Sequence, residues 1–193
     1  KQHSYMMNYD MGFNKECLLT ANIPVSSMDE RDAFSSELLN NPNIKEVAWS
    51  QDRMVAEMHM TWGRWHHGEQ TMLTVMPVSW NFLQVMGIEV FEGRDFLPSD
   101  EKGDGAIILN EYAKNKYNLN LEEVIEWNGT PFPATGFCRD FHFKPLHEES
   151  DAFAFYIYDS EVLTKYFPTP HLTLRTIENA DIKAVFDAIR ATT

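Results

Sequence analysis

Hydrophobic and polar positions along the chain switch between two periods. CLLTANIPV, residues 17–25, reads as a strand ending near Pro24. In the following SSMDERDAFSSELLNNPN, Phe34 and Leu38 lie one turn apart with Ala33 beside them, an apolar stripe at helical spacing. Ser27 with Glu30 three residues later predicts a capping box at the start of this helix, and Asn40-Asn41-Pro42 predicts its stop. IKEVAWS, 44–50, returns to a strand pattern. The result is a strand–helix–strand unit whose helix must cover a sheet face to bury its stripe.

The middle of the chain reads differently. Residues 53–62 and 70–78 are β-like, with GRWHHGE between them as a hairpin tip. Residues 80–86 form a short helix with Ser79 as cap and Gly87 as stop. After the turn GDG, 106–109 is a short buried strand and Asn110 caps the next helix. Two strands, 121–127 and 134–143, flank NGTP, where Asn-Gly signals a hairpin. Then 152–158, the longest apolar run, and 172–176 are strands joined by an acidic, proline-containing loop, 159–170. Asn179 predicts the cap of a last helix with Ile182, Val185, Phe186 and Ile189 on one face. The expected fold class is α+β. An α/β subdomain built from residues 1–62 and 150–193 is interrupted by an inserted, mainly β subdomain, 63–149. Residues 136–147 are expected to form the hinge where the insertion returns to the α/β body, with Phe141 and Phe143 as buried anchors.

Charge removes one class of partner. The 193 residues carry 16 Lys and Arg against 29 Asp and Glu, a formal charge of −13. Such a surface repels phosphate backbones, so no nucleic-acid partner is expected. No apolar run approaches the ~20 residues of a membrane helix, and the chain starts at Lys1 without a signal peptide. It is therefore expected to be a soluble piece of a longer protein. Cys17 and Cys138 read as two unrelated small residues rather than a bridged pair.

Two clusters carry candidate chemistry. GFCRDFHFKPLHEES, 136–150, places Arg139, Asp140, His142 and His147 close together. On a strand, Phe137, Phe141 and Phe143 share one face and Asp140 and His142 the other. A carboxylate beside His can orient a general base, and two such ligands can begin a metal site. Catalysis needs a third party, and His147 lies past Pro145, where the strand must have ended. Polar residues alternating with a Phe face are also what a half-buried strand requires, and that is the reading adopted. A small hydrolase using Asp140 and His142 is a distant alternative. The second cluster is Met54, Met58, His59, Met60, His66 and His67. Thioethers with imidazole suit Cu(I), and His pairs suit zinc or nickel. On a strand, however, Met58 and Met60 share a face while His59 points away. The tract reads as Met core filler and a polar hairpin tip, the alternative being a periplasmic metal- or ligand-binding module. Walker A, GxSxG, HExxH and CxxC motifs are absent. No catalytic, cofactor-binding or metal-ligating residue is expected.

Five stretches, in order, carry a resemblance: DMGFNKECLL, NNPNIKEVAWS, VMPVSWNFLQVMGIEVFEGRDF, AIILNEYAKNKYNL and ATGFCRDFHFKPLHEES. Together they resemble the periplasmic core domain of MacB/FtsX-like ABC transporter permeases. The resemblance implies a domain between the first and second membrane helices, at the periplasmic face of a bacterial inner membrane. It implies a porter-like subdomain interrupted by a mainly β one, and no periplasmic active site. Its structural signature would be Gly93, Arg94, Asp95 and Phe96, then Gly136, Asp140, Phe141, Phe143, Leu146 and His147. ATP would act at a separate nucleotide-binding domain. Implied partners are a cytoplasmic ABC ATPase subunit or domain, the chain's own membrane helices, a second permease copy and a periplasmic adaptor. The chain departs from the family at Cys17, at Cys138 and over the Met/His tract, and lacks the closing strand expected after the last helix.

Overall fold

The computed structural model describes residues 12, 14, 16–25, 27–55, 59–66, 68–102, 105–121, 125–127, 130–132, 134–143, 151–157 and 170–192. In chain order the elements are β1 (Leu18–Asn22), α1 (Met28–Leu39), β2 (Ile44–Ser50), β3 (Met60–His66), β4 (Glu69–Pro77), α2 (Phe82–Met86) and β5 (Val90–Gly93). A 3-10 helix (Pro98–Lys102) follows, then β6 (Ala106–Asn110), α3 (Glu111–Tyr117), β7 (Ile125–Trp127), β8 (Thr130–Phe132), β9 (Ala134–Cys138), β10 (Phe153–Ile157), β11 (His171–Thr176) and α4 (Ile182–Thr192). The fold is α+β, with two open sheets.

The small sheet has the order β1-β11-β2, with both pairings antiparallel. β1 and β2 come from one end of the sequence and the central β11 from the other. One face is closed by α1 and α4. Phe34 and Leu38 of α1 meet Val185 and Ile189 of α4 over Val47, Trp49, Leu172 and Leu174. The Ser27 half of the predicted capping box is in place, its hydroxyl accepting from the Glu30 amide at 3.1 Å. At α4 the cap is Asp181, whose carboxylate accepts from the Ala184 amide at 3.1 Å. Asn179 instead takes a left-handed turn conformation, φ 57°. Of the expected α4 face, Val185 and Ile189 are buried, whereas Ile182 and Phe186 stay exposed.

The large sheet runs β5-β9-β6-β10-β4-β3-β7-β8 and is mixed, with β9–β6 and β10–β4 parallel. Its central strands are apolar on both faces, as strands covered on both sides must be. Phe153, Phe155 and Ile157 face one core, with Ile108, Met76 and α2, while Ala154 and Tyr156 face the other, with Leu109, Phe137 and α3. Ala48 of β2 belongs to the first of these cores. The small sheet therefore buries its second face against α2 and the large sheet.

Several sequence expectations shift. Of the apolar run at 152–158, Phe153–Ile157 forms β10 and belongs to the large sheet rather than to the α/β body, since β10 lies in the middle of that sheet. β3 likewise begins at Met60 in the large sheet, on the α/β side of the expected boundary at residue 62. The chain thus returns to the small sheet after Ile157, beyond the expected hinge at 136–147. β3 extends through His66, which pairs with Glu69, so GRWH, 63–66, supplies strand rather than tip. β7 and the short β8 pair as an antiparallel hairpin across the Asn-Gly dipeptide, with Trp127 opposite Thr130. β9 then lies towards the opposite end of the sheet, parallel to β6, and stops at Cys138. Ser79 does not cap α2. Its hydroxyl donates to Asn81 and accepts from the Trp49 amide.

Candidate functional site

The first signature segment is a tight crossing between β5 and β9. Gly93 pairs with Gly136 across the two strands. Gly93 has φ +76°, and a Cβ there would lie 2.3 Å from the Thr135 carbonyl oxygen. A Cβ on Gly136 would lie 2.6 Å from the Arg94 carbonyl oxygen. No larger residue fits either place without moving backbone. The chain then turns: the Arg94 amide donates to Thr135 at 2.8 Å, and the Arg94 guanidinium grips both oxygens of Asp100 at 2.8 and 3.0 Å. Burial pushes the Asp100 carboxyl up, but Arg94 and the Leu97 amide outweigh it and hold the group below its ordinary value. Asp95 accepts from the Phe96 amide at 2.7 Å, and burial raises its pKa. Phe96 itself is buried in the core beside α2.

The second signature segment does not form the predicted continuous strand. Phe137 faces the α3 side of the sheet, whereas Cys138, Phe141 and Phe143 face the α2 side. The three phenylalanines therefore do not share a face. The alternation breaks because β9 ends at Cys138 and the chain leaves the ladder. Phe141 and Phe143 are buried as anchors, in a ring cluster with Phe153 and Phe155 at centroid distances of 4.5–5.7 Å. Asp140 closes the start of α3, its carboxylate accepting from Asn110 Nδ2 at 2.9 Å and from the Tyr112 amide at 2.8 Å. Burial raises its pKa, opposed by the Tyr112 hydrogen bond. Its described donors make it a cap on α3. Arg139 pairs with Glu111 at 3.2 Å and Glu89 at 3.6 Å. His142 is half-buried, and Leu146 and His147 lie outside the described residues.

The sheet divides the Met/His tract. Met54 is buried in the core containing Phe141 and Phe153. His59 stands edge-on to Phe143 and Phe153, at 5.9 and 5.7 Å between ring centroids. Burial lowers its pKa against the opposing pull of Asp52 and the Phe143 and Met54 backbones. His66 shares the alternation of Met60 and Trp62, which pack on the other side of the sheet. His59 and His66 are therefore not placed to share an ion. Met58 and His67 lie outside the described residues. Among the described residues no group of three His, Cys, Asp or Glu side chains is arranged to hold a metal. Both cysteines are free, Cys17 exposed and Cys138 buried.

The joint between the sheets contains polar residues with no motif to announce them. Trp49 and Ser79 exchange hydrogen bonds: the Ser79 amide donates to Trp49 O at 2.8 Å, and the Trp49 amide to Ser79 Oγ at 2.9 Å. Asn81 Nδ2 donates to Val47 O at 2.8 Å. Arg175 of β11 is buried and reaches the carbonyls of Val85, Glu16 and Asn14. Arg31 of α1 pairs with Glu101 of the 3-10 helix at 3.1 Å, and both side chains are largely buried. A sequence signal existed for Arg31: it lies three and seven residues before Phe34 and Leu38, a charge on the apolar stripe.

The overall α+β fold is similar to that of solved domains of transporters and permeases. The chain is similar to the periplasmic region of MacB from Actinobacillus actinomycetemcomitans, with 14% identity, TM-score 0.63, and coverage of 96% of this chain and 86% of that one. It is similar to the extracellular domain of the ABC-type transporter YknZ of Gram-positive bacteria, with 18% identity, TM-score 0.60, and coverage of 90% and 92%. A domain of a permease-type protein from Porphyromonas gingivalis gives 9% identity, TM-score 0.59, and coverage of 88% and 69%. No protein-family model matches the chain, and no curated protein matches it by sequence. No helix among the described residues is long and apolar enough to cross a membrane.

Proposed function

We propose that the chain is the extracytoplasmic domain of an ABC-type transporter permease, coupling ATP hydrolysis on the far side of a membrane to rearrangement outside it, for export or signalling. The observation that carries this reading is the small sheet. It takes β1 and β2 from one end of the chain and β11 from the other, so both ends leave from one body, as attachment to two membrane helices requires. A body that transmits motion needs rigid parts with two arrangements biased from elsewhere. It does not need a catalytic constellation, and we propose that this chain is not an enzyme. The partners are a cytoplasmic ATPase subunit or domain, the flanking membrane helices, a second permease copy and a periplasmic adaptor. In a bacterium with two membranes the domain sits at the periplasmic face of the inner one. The parent gene tests this first. Apolar segments of ~20 residues flanking the chain on both sides are expected, and their absence overturns the reading. In intact cells Cys17, an exposed residue, should react with a membrane-impermeant maleimide; labelling only after lysis would place the domain inside.

A further inference from the structure

We infer that the Arg31–Glu101 ion pair is a latch that holds helix α1 against the large-sheet side of the joint, closing an apolar cleft between them. The inference rests on packing and stands whatever the domain transmits. Glu101 is a junction of three elements. Its Oε2 accepts from Arg31 Nη2 at 3.1 Å, its Oε1 accepts from the Trp80 amide at 3.1 Å, and it belongs to the 3-10 helix. That helix is itself pinned by the Arg94–Asp100 fork to the turn after Gly93. A continuous polar path therefore runs from the β5–β9 crossing to α1.

Beside Arg31 the packing is incomplete. A cleft of about 40 Å³ is lined by Val25, Met28 and Trp49 from the small-sheet side and by Pro77 and Val78 from the large-sheet side, with Arg31 in its wall. Apolar surfaces that fail to interdigitate hold each other weakly, so polar contacts must help keep this seam shut. β2 is tied across the joint by its exchange with Ser79, whereas α1 is tied through Arg31. Each side keeps its own apolar core, α1 resting on Leu172, Leu174 and Val185. Loss of the latch should therefore loosen α1 at its Arg31 end from the large-sheet side, while Phe34 and Leu38 keep the helix in its own core and both cores stay folded. Asp32 is mostly exposed and also touches Arg31 at 3.1 Å, but it lies on α1 and cannot bridge the seam.

The test is hydrogen exchange on the whole 193-residue chain with Glu101→Gln, Arg31→Met and the double variant. Glu101→Gln keeps one acceptor oxygen for Trp80 and replaces the charged oxygen facing Arg31 with an amide nitrogen, which cannot accept. Each single variant is expected to speed exchange of α1 amides by roughly tenfold, with β6 and β10 unchanged, as local opening requires. The double variant should match the singles, because both break one interaction. An apolar dye such as anilinonaphthalene sulfonate should bind the variants and not the parent chain. Unchanged α1 protection, additive effects, or a uniform loss of protection including unfolding would each overturn the latch.

Discussion

Gly93 and Gly136 face each other across β5 and β9, so close that a methyl group on either would strike backbone of the opposite strand or of the turn beyond it. This pair lets Arg94 turn back to Asp100, and so places Glu101 at the joint. Gly93→Ala faces both a left-handed φ and a 2.3 Å clash; Gly136→Ala faces the clash alone. Each should cost at least ~2 kcal/mol, because backbone rather than a flexible side chain must yield. Gly68 is the control. It has φ +80° but open space around a Cβ, so Gly68→Ala should cost only about 1 kcal/mol. Denaturant midpoints measure all three, and equal costs at the three sites would refute the steric account.

Asp140 should behave as a cap. Asp140→Ala removes the acceptor for Tyr112 and Asn110 and should cost about 1 kcal/mol, whereas Asp140→Asn keeps an acceptor oxygen. The pH dependence has a definite sign. Burial, aided by Glu111, holds the folded-state pKa above the unfolded value. The folded state keeps its proton longer, so this group's contribution is present below the ordinary carboxylate pKa and is lost as pH rises through the folded one. Asp140→Asn should flatten that decline in stability curves between about pH 3 and 6. An undiminished slope would show that other carboxylates carry it.

Much of this architecture was legible because period and capping report local structure. Ser27 with Glu30, Asn110 before α3, and Gly87 after α2 each declared a helix boundary that the structure keeps. Strand partners were harder. Nothing in ATGFCRDF tells β9 to lie parallel to β6, near the opposite end of the sheet from the Asn-Gly hairpin's β8, since alternation encodes which faces are buried but not which edge is met. The same limit misplaced Phe137. It shares parity with Phe141, yet the strand ends between them and the face changes. The signature glycines were recognisable as a pair of motifs, but not as mutual neighbours. The joint was least visible, because Ser79, Asn81 and Glu101 are ordinary polar residues whose partners lie about 20 to 70 positions away.

The two thiols should differ sharply. Cys17 is exposed, whereas burial, with Asp140 nearby, pushes the Cys138 thiol far above its ordinary pKa. Alkylation of the native chain should modify one cysteine within minutes and the second only after denaturant is added. Intact mass should be the same with and without reductant. Two modified thiols in the native state, or a two-dalton deficit restored by reductant, would contradict the burial described.

His59 supplies the last expectation. Its ring is packed edge-on to Phe143 and Phe153, and its Nε2 is buried with no hydrogen-bond partner among the described residues. Protonation there charges an imidazole inside an aromatic cluster. Burial accordingly lowers its folded-state pKa, against the opposing influence of Asp52. A lowered pKa for a base means that the unfolded chain takes up the proton first. Stability from this site is therefore present above the unfolded His value near 6.5 and is lost as pH falls below it. His171 is shifted the same way, by burial, with Asp52 at 3.4 Å opposing, so the wild-type loss on acidification draws on both histidines. Urea midpoints for the wild-type chain should fall between about pH 7.5 and about pH 5.5, which bracket the ordinary His value. His59→Phe should fall less, because a neutral ring of similar shape replaces the titrating one, and His171→Gln should remove a separate share. If His59→Phe keeps the full wild-type loss, the imidazole is not desolvated as its surroundings indicate. A rise in wild-type stability on acidification would mean that raised carboxylates such as Asp140 outweigh both histidines over this range.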